Sequence, residues 1–181
     1  MREPAGRHLY CAVVPTLHLV RHGEALDRGA WSGDDRSRPL TEFGWRQSLA
    51  IAGVLSQQEV QLFWTSPTVR CADTLLPAAH GRGLEVQPLA LLFETNEPSH
   101  PQQAAELLRE IAATCLPTGV GRAAAATHGN MLVPLLSRAA GQSPPRCPKG
   151  GVWCLDLDSR MAPRGVEYLG SLDPRTGEWR R

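Results

Sequence analysis

Thr16-Leu17-His18-Leu19-Val20-Arg21-His22-Gly23-Glu24 is the stretch on which the reading of the fold turns. Its first half is a short apolar run that stops abruptly at Arg21-His22-Gly23, the pattern of a buried strand running into a polar loop. A second stretch repeats the arrangement: Ala123 to Ala126 lies between Gly121 and Thr127-His128-Gly129. Alanine favours helix by propensity, but four residues in that frame fit a tightly packed central strand better. Each strand thus delivers a histidine, followed by a glycine, at its carboxyl end.

Working outward, the segments between these stretches carry helical periodicity. Thr41 caps a helix through about Ser56, with Trp45, Leu49, Ala52 and Leu55 or Val54 as its apolar recurrence. Gln61 to Trp64 reads as a second strand ending at Ser66-Pro67, where serine suits the N-cap and proline the first position of a helix through about Ala79. Leu84 to Leu92 holds another short strand. Ser99 to Cys115 gives a helix with Ala105, Leu108, Ile111 and Ala112 on one side. Asn130 to Ala140 is a helix ended by Gly141, in which Pro134 predicts a kink or a late start. After a Pro-rich loop from Gln142 to Gly150, strands are expected at Val152 to Leu157 and Val166 to Gly170. The alternation predicts an α/β three-layer sandwich, a mostly parallel central sheet with helices on both faces, whose sites lie beyond the carboxyl ends of strands.

The 181 residues suit one domain spanning 1–181, with a core from about 16 to 170 and short flexible termini. A net charge of +1, with 42% hydrophobic and 20% charged residues, excludes a general nucleic-acid or membrane binder. Of the 19 basic residues only Lys149 is a lysine, so arginine abundance by itself signals nothing. The five cysteines are odd in number and scattered, and no C-x-x-C pair suggests zinc or a disulfide framework. The apolar run Leu9 to Val14 is too short for a signal peptide, and a cytoplasmic location is expected.

Three elements carry the chemistry. Arg21-His22-Gly23 resembles the R-H-G signature of the histidine phosphatase (phosphoglycerate-mutase-like) superfamily, Ser66-Pro67-Thr68-Val69-Arg70-Cys71-Ala72-Asp73-Thr74 its S-P-x-x-R-C-x-x-T element, and Thr127-His128-Gly129 the third. Gly33 to Thr41, with Gly44 and Gln47, is similar to the family's G-x-x-D-x-P-L-T-x-x-G-x-x-Q, with one extra residue before Pro39-Leu40. That residue and Lys149-Gly150-Gly151-Val152-Trp153 resemble the short branch containing SixA-type phosphohistidine phosphatases and the phosphatase domains fused to Nudix hydrolases. The resemblance implies a phosphatase working through a phosphohistidine on His22, with Arg21, Arg70 and His128 completing the catalytic core.

The residue types suit that chemistry. Phosphoryl transfer needs fixed positive charge and hydrogen-bond donors around the oxygens and a nucleophile in line with the leaving group. Neutral imidazole is nucleophilic near pH 7, Arg21 and Arg70 offer forked donors, and His128 donates from a ring nitrogen. Gly23 and Gly129 let backbone and substrate approach closely. A general acid is also required. Leu92-Phe93-Glu94 resembles the family's L-x-E region, so Glu94 is the candidate, with Glu97 near enough to compete and a member lacking an acid here as the third possibility.

Against these stand plainer roles: Arg70 pairing with Asp73, His128 capping a helix, His18 packed in the core, Trp31 either in the core or lining the pocket. No metal or organic cofactor is expected. A phosphorylated small molecule, nucleotide or metabolite, and a phosphohistidine protein both stay open as substrate. Mutase chemistry and a noncatalytic phosphate-binding module are the rival functions.

Overall fold

A computed structural model of the chain describes residues 16–94, 100–141, 146–158 and 162–181. The apolar run at Leu9 to Val14, Glu97 and the first part of the Pro-rich loop lie outside them. Seven strands form one sheet: β1 (Thr16–Arg21), β2 (Leu62–Thr65), β3 (Val86–Pro88), β4 (Arg122–Thr127), β5 (Val152–Leu157), β6 (Pro163–Leu172) and β7 (Trp179–Arg180), in the order β3-β2-β4-β1-β5-β6-β7. The pairings β3·β2, β2·β4 and β4·β1 are parallel, and β5, β6 and β7 add on antiparallel. The sheet therefore continues past residue 170, the expected end of the core, to Arg180.

Four helices, α1 (Glu42–Ser56), α2 (Val69–His80), α3 (His100–Thr118) and α4 (Gly129–Ala140), cover the two faces. Strand alternation sorts them. Leu17 and Leu19 face Leu107, Leu108 and Ile111 of α3 and Leu132, Leu135 and Leu136 of α4, whereas Val20 faces Ile51 and Leu55 of α1 and Cys71 and Leu75 of α2. Ala123 to Ala126 are at most 3% exposed in β4, with ladder partners on both edges. Helix propensity differs by less than about 1 kcal/mol per residue, and a strand paired on both sides and covered on both faces overrides it.

Several local expectations are corrected. Trp45 and Leu49 are exposed; the buried side of α1 is Gly44, Gln47, Ser48, Ile51 and Leu55. The amino-terminal half of α1 packs on polar loop backbone, so small and polar residues occupy its inner face, which an apolar count alone misses. α2 starts at Val69 with Thr68 at its N-cap position, and the Ser66 side chain is engaged by His128 instead of capping. Between Leu84 and Leu92 only Val86–Pro88 is strand, and Ala90–Leu92 is a 3₁₀ turn. α4 begins at Gly129 and runs through Pro134, and Gly141, at a φ of 62°, ends it in the left-handed conformation.

Candidate active site

Parallel pairing aligns the carboxyl ends of β2, β4 and β1, and the next residues on each are Ser66, His128 and His22. His22 is pinned at the end of β1 by its N–H donating to the Thr127 carbonyl at 3.0 Å. Its ring Nδ1 lies 2.7 Å from the Gly23 carbonyl. A carbonyl only accepts, so Nδ1 carries the proton and Nε2 keeps its lone pair. Burial drives the His22 pKa down to about 3 against the pull of that carbonyl, and the positive charges of Arg70, Arg21 and Lys149 lower it further. The imidazole is therefore neutral at any ordinary pH.

His128 lies edge-on to His22, ring centroids 5.3 Å apart. It is 1% exposed, and burial with the neighbouring His22, Arg70 and Arg21 lowers its pKa to about 2. Its Nε2 is 2.8 Å from the Ser66 hydroxyl, and its Nδ1 is 3.3 Å from Glu94 Oε1 and 3.4 Å from Arg70 Nη2. Although His128 occupies the N-cap position of α4, its side chain makes no capping bond.

Arg70 is also 1% exposed and is held from two sides. Nη1 donates to the Asp35 carbonyl at 2.6 Å, and Nη2 lies 3.1 Å from the Asp35 carboxylate and 3.0 Å from Glu94. Asp35 and Glu94, not Asp73, are thus its counter-ions. Asp35 also holds Arg38 at 2.8 Å, and hydrogen bonding to Arg38 and the charges of Arg70, Arg38 and Arg28 outweigh burial and lower its carboxyl pKa. From the next turn of α2 the Thr74 hydroxyl donates to the Arg70 carbonyl and accepts the Gly23 N–H at 2.9 Å.

Arg21 points to the other face of the sheet, where its Nη1 donates to the Cys147 carbonyl and its buried Nε has no partner among the described residues. A Cβ on Gly129 would come 3.1 Å from the Arg21 guanidinium carbon, so the absent side chain makes room for Arg21. Arg21, His22, Glu94, His128 and Gly129 line one cleft of about 680 Å³, with Lys149, Arg28, Arg38 and Asn130 among the other residues around it. The first-turn N–H groups of α4, which have no partner inside the helix, favour an anion there.

Arg70 is not on the cleft wall; it sits behind Glu94 and His128, which are. Gly23 is buried off the wall as well, its N–H taken by Thr74 and its carbonyl by His22. Trp31 is half-buried, donates to the Asp34 carbonyl and lines no part of the cleft. His18 is fully buried with Nδ1 3.3 Å from the Ala123 carbonyl. Sequence reasoning gave Ser66 only the N-cap of the following helix and gave Asp35 and Lys149 no role; Ser66 is visible in retrospect as the first letter of the S-P-x-x-R pattern. Among the described residues no group of three or more His, Cys, Asp or Glu is placed to hold a metal ion, and no helix is long and apolar enough to cross a membrane.

Comparison with known families agrees with this geometry: the family model of the histidine phosphatase superfamily (branch 1) matches residues 17–114. The chain belongs to that superfamily. Membership supports a phosphatase-type hydrolase, and a phosphohistidine intermediate is the general mechanism of histidine phosphatases. An 8-oxo-(d)GTP phosphatase of Mycolicibacterium smegmatis is 28% identical over 166 residues, covering 88% of this chain and 49% of the relative, so the chain spans about half the length of that protein. Among solved structures, the protein histidine phosphatase SixA complexed with tungstate superposes with a TM-score of 0.67 at 22% identity, covering 88% of this chain and 97% of the other. A mycobacterial glucosyl-3-phosphoglycerate phosphatase gives 0.62 at 17% identity, with 85% and 96% covered. At such identities these structural likenesses show the fold alone.

Proposed function

We propose that the chain hydrolyses a phosphorylated small molecule, a nucleotide or metabolite, with His22 as nucleophile and without a metal or organic cofactor. The observation that carries the reading is the Nδ1–H bond of His22 to the Gly23 carbonyl, which leaves Nε2 as a free lone pair in a ring held neutral beside a cationic cleft. In the first step the Nε2 lone pair attacks phosphorus and the bond to the leaving oxygen breaks. Arg21, His128 and the α4 amino terminus donate to the phosphoryl oxygens, and Arg70 adds charge from behind. The leaving oxygen takes a proton from Glu94, which acts as the general acid. Glu94 then removes a proton from water, which attacks the phosphohistidine, returns the electron pair to Nε2 and releases orthophosphate.

Names borne by relatives, an 8-oxo-(d)GTP phosphatase and a glucosyl-3-phosphoglycerate phosphatase, support a small phosphorylated substrate. A cytoplasmic setting is part of the proposal and rests on the ordinary composition and the scattered cysteines. Hydrolysis of p-nitrophenyl phosphate in EDTA tests the reading. Turnover should persist, because guanidinium groups supply the charge a metal would otherwise provide. Loss with EDTA and recovery on adding a divalent cation would overturn it.

A further inference from the structure

Lys149 borders the cleft, and beyond the effect of its charge on His22 no step of the reaction described above employs its side chain. Its backbone serves the site: the carbonyl accepts from Gln47 Nε2 at 2.8 Å, and the next N–H, of Gly150, donates to the His22 carbonyl at 3.1 Å. Any residue could serve those two bonds. The side chain is another matter. Lys149 is exposed, borders the cleft that holds His22, and has no carboxylate within ion-pair distance among the described residues. By contrast Arg38 is clamped by Asp35 and by the Leu26 carbonyl at 2.7 Å, and Arg28 faces Asp35 at 3.6 Å. Of the cations around the cleft, only Arg21 and Lys149 are thus unpaired by a carboxylate, and Arg21 is assigned to the transferred phosphate.

Size and lining say what the second cation is for. A space of about 680 Å³ matches the 300–1,000 Å³ typical of sites for drug-sized ligands and far exceeds one phosphate. Its described lining includes no Phe, Tyr or Trp, and its only larger apolar side chain is Leu26. Stacking and apolar burial are therefore poor means of holding a leaving group there, and charge is the better one. Lysine also departs from the habit of this chain, in which every other basic residue is arginine. A compact ammonium on a flexible stem suits a rotating terminal phosphoryl group, where a planar fork has no advantage.

We propose that Lys149 is a specificity residue that binds a second phosphoryl group in the same cleft, so that the preferred substrates are phosphoanhydrides or bisphosphorylated molecules. The inference rests on the hydrolase reading for the identity of the cleft, but its test needs no turnover. Calorimetric titration of the full chain with orthophosphate and with inorganic pyrophosphate, in the absence of divalent cations, compares one phosphoryl group with two. Pyrophosphate should bind about tenfold more tightly, the scale of one charge-assisted hydrogen bond. In Lys149→Met that ratio should fall to about one, and Lys149→Arg should restore part of it. Because Lys149 is the only lysine, an amine reagent on the unaltered chain modifies it and the amino terminus alone, and pyrophosphate should protect it where orthophosphate does not. Equal binding of the two anions by the unaltered chain, or a ratio unchanged in Lys149→Met, overturns the inference. Failure to hydrolyse p-nitrophenyl phosphate, with the binding ratio intact, would overturn the hydrolase reading instead.

Discussion

At the residue scale the two histidines share a cleft but have different surroundings, and their variants should separate accordingly. His22 has one nitrogen engaged and the other free, whereas both nitrogens of His128 have neighbours. His22→Ala removes the bond-forming atom, so turnover and any acid-labile phosphoenzyme should both vanish. His128→Ala removes one donor, for which a loss of about 100 to 1000-fold is the usual scale, and a slowly formed phosphoenzyme should still map to His22. Rapid quench with labelled substrate followed by peptide mapping distinguishes them, and label on His128 would reverse the assignment. Most of these side chains were legible as motif letters, because phosphate chemistry restricts which residue types suffice. Asp35 was not, since a carboxylate that neutralises an arginine from a distant loop leaves no local periodicity to read.

At the scale of the element, α1 offers a test of how tightly the loop after β1 is seated. Gly44 and Gly53 lie in the same helix, yet a Cβ on Gly44 would collide with the Glu24 carbonyl whereas one on Gly53 meets nothing within 4 Å. Gly53→Ala should stabilise by about 0.5–1 kcal/mol through helix propensity. Gly44→Ala should destabilise by more than about 1–3 kcal/mol, the usual cost of overpacking, because backbone opposes it. Urea midpoints of the two variants measure both effects. The same contact explains where sequence reading of α1 failed: its span and Thr41 cap follow from local chemistry, but which face turns inward depends on a backbone approach that hydrophobic spacing does not encode. Strands β1 and β4 were legible for the opposite reason, since a His-Gly pair closes each of them and Gly121 precedes β4. The two-residue β7 carries no pattern long enough to recognise.

For the whole molecule, three buried histidines make the fold sensitive to acid. Burial is the first cause of the lowered pKa of His18, His22 and His128, to about 3 and about 2 for the last two. In the unfolded chain each titrates near 6.5. Between those limits the unfolded chain binds more protons than the folded one, so stability rises with pH across that window. Full stability is expected above about pH 6.5, with progressive loss as pH falls toward 3; the melting temperature followed from pH 8 to 4 measures it, and a flat profile would contradict the burial of these rings in neutral form. The pairing of β1 with β4 joins segments about a hundred residues apart in the chain, and with it come His22 and His128. Helices form locally and fast, while pairing of such distant strands is slow. Activity is then a clock on assembly: in refolding experiments the far-ultraviolet helical signal should recover well before turnover does, and the lag reads the time the chain takes to find its central strand.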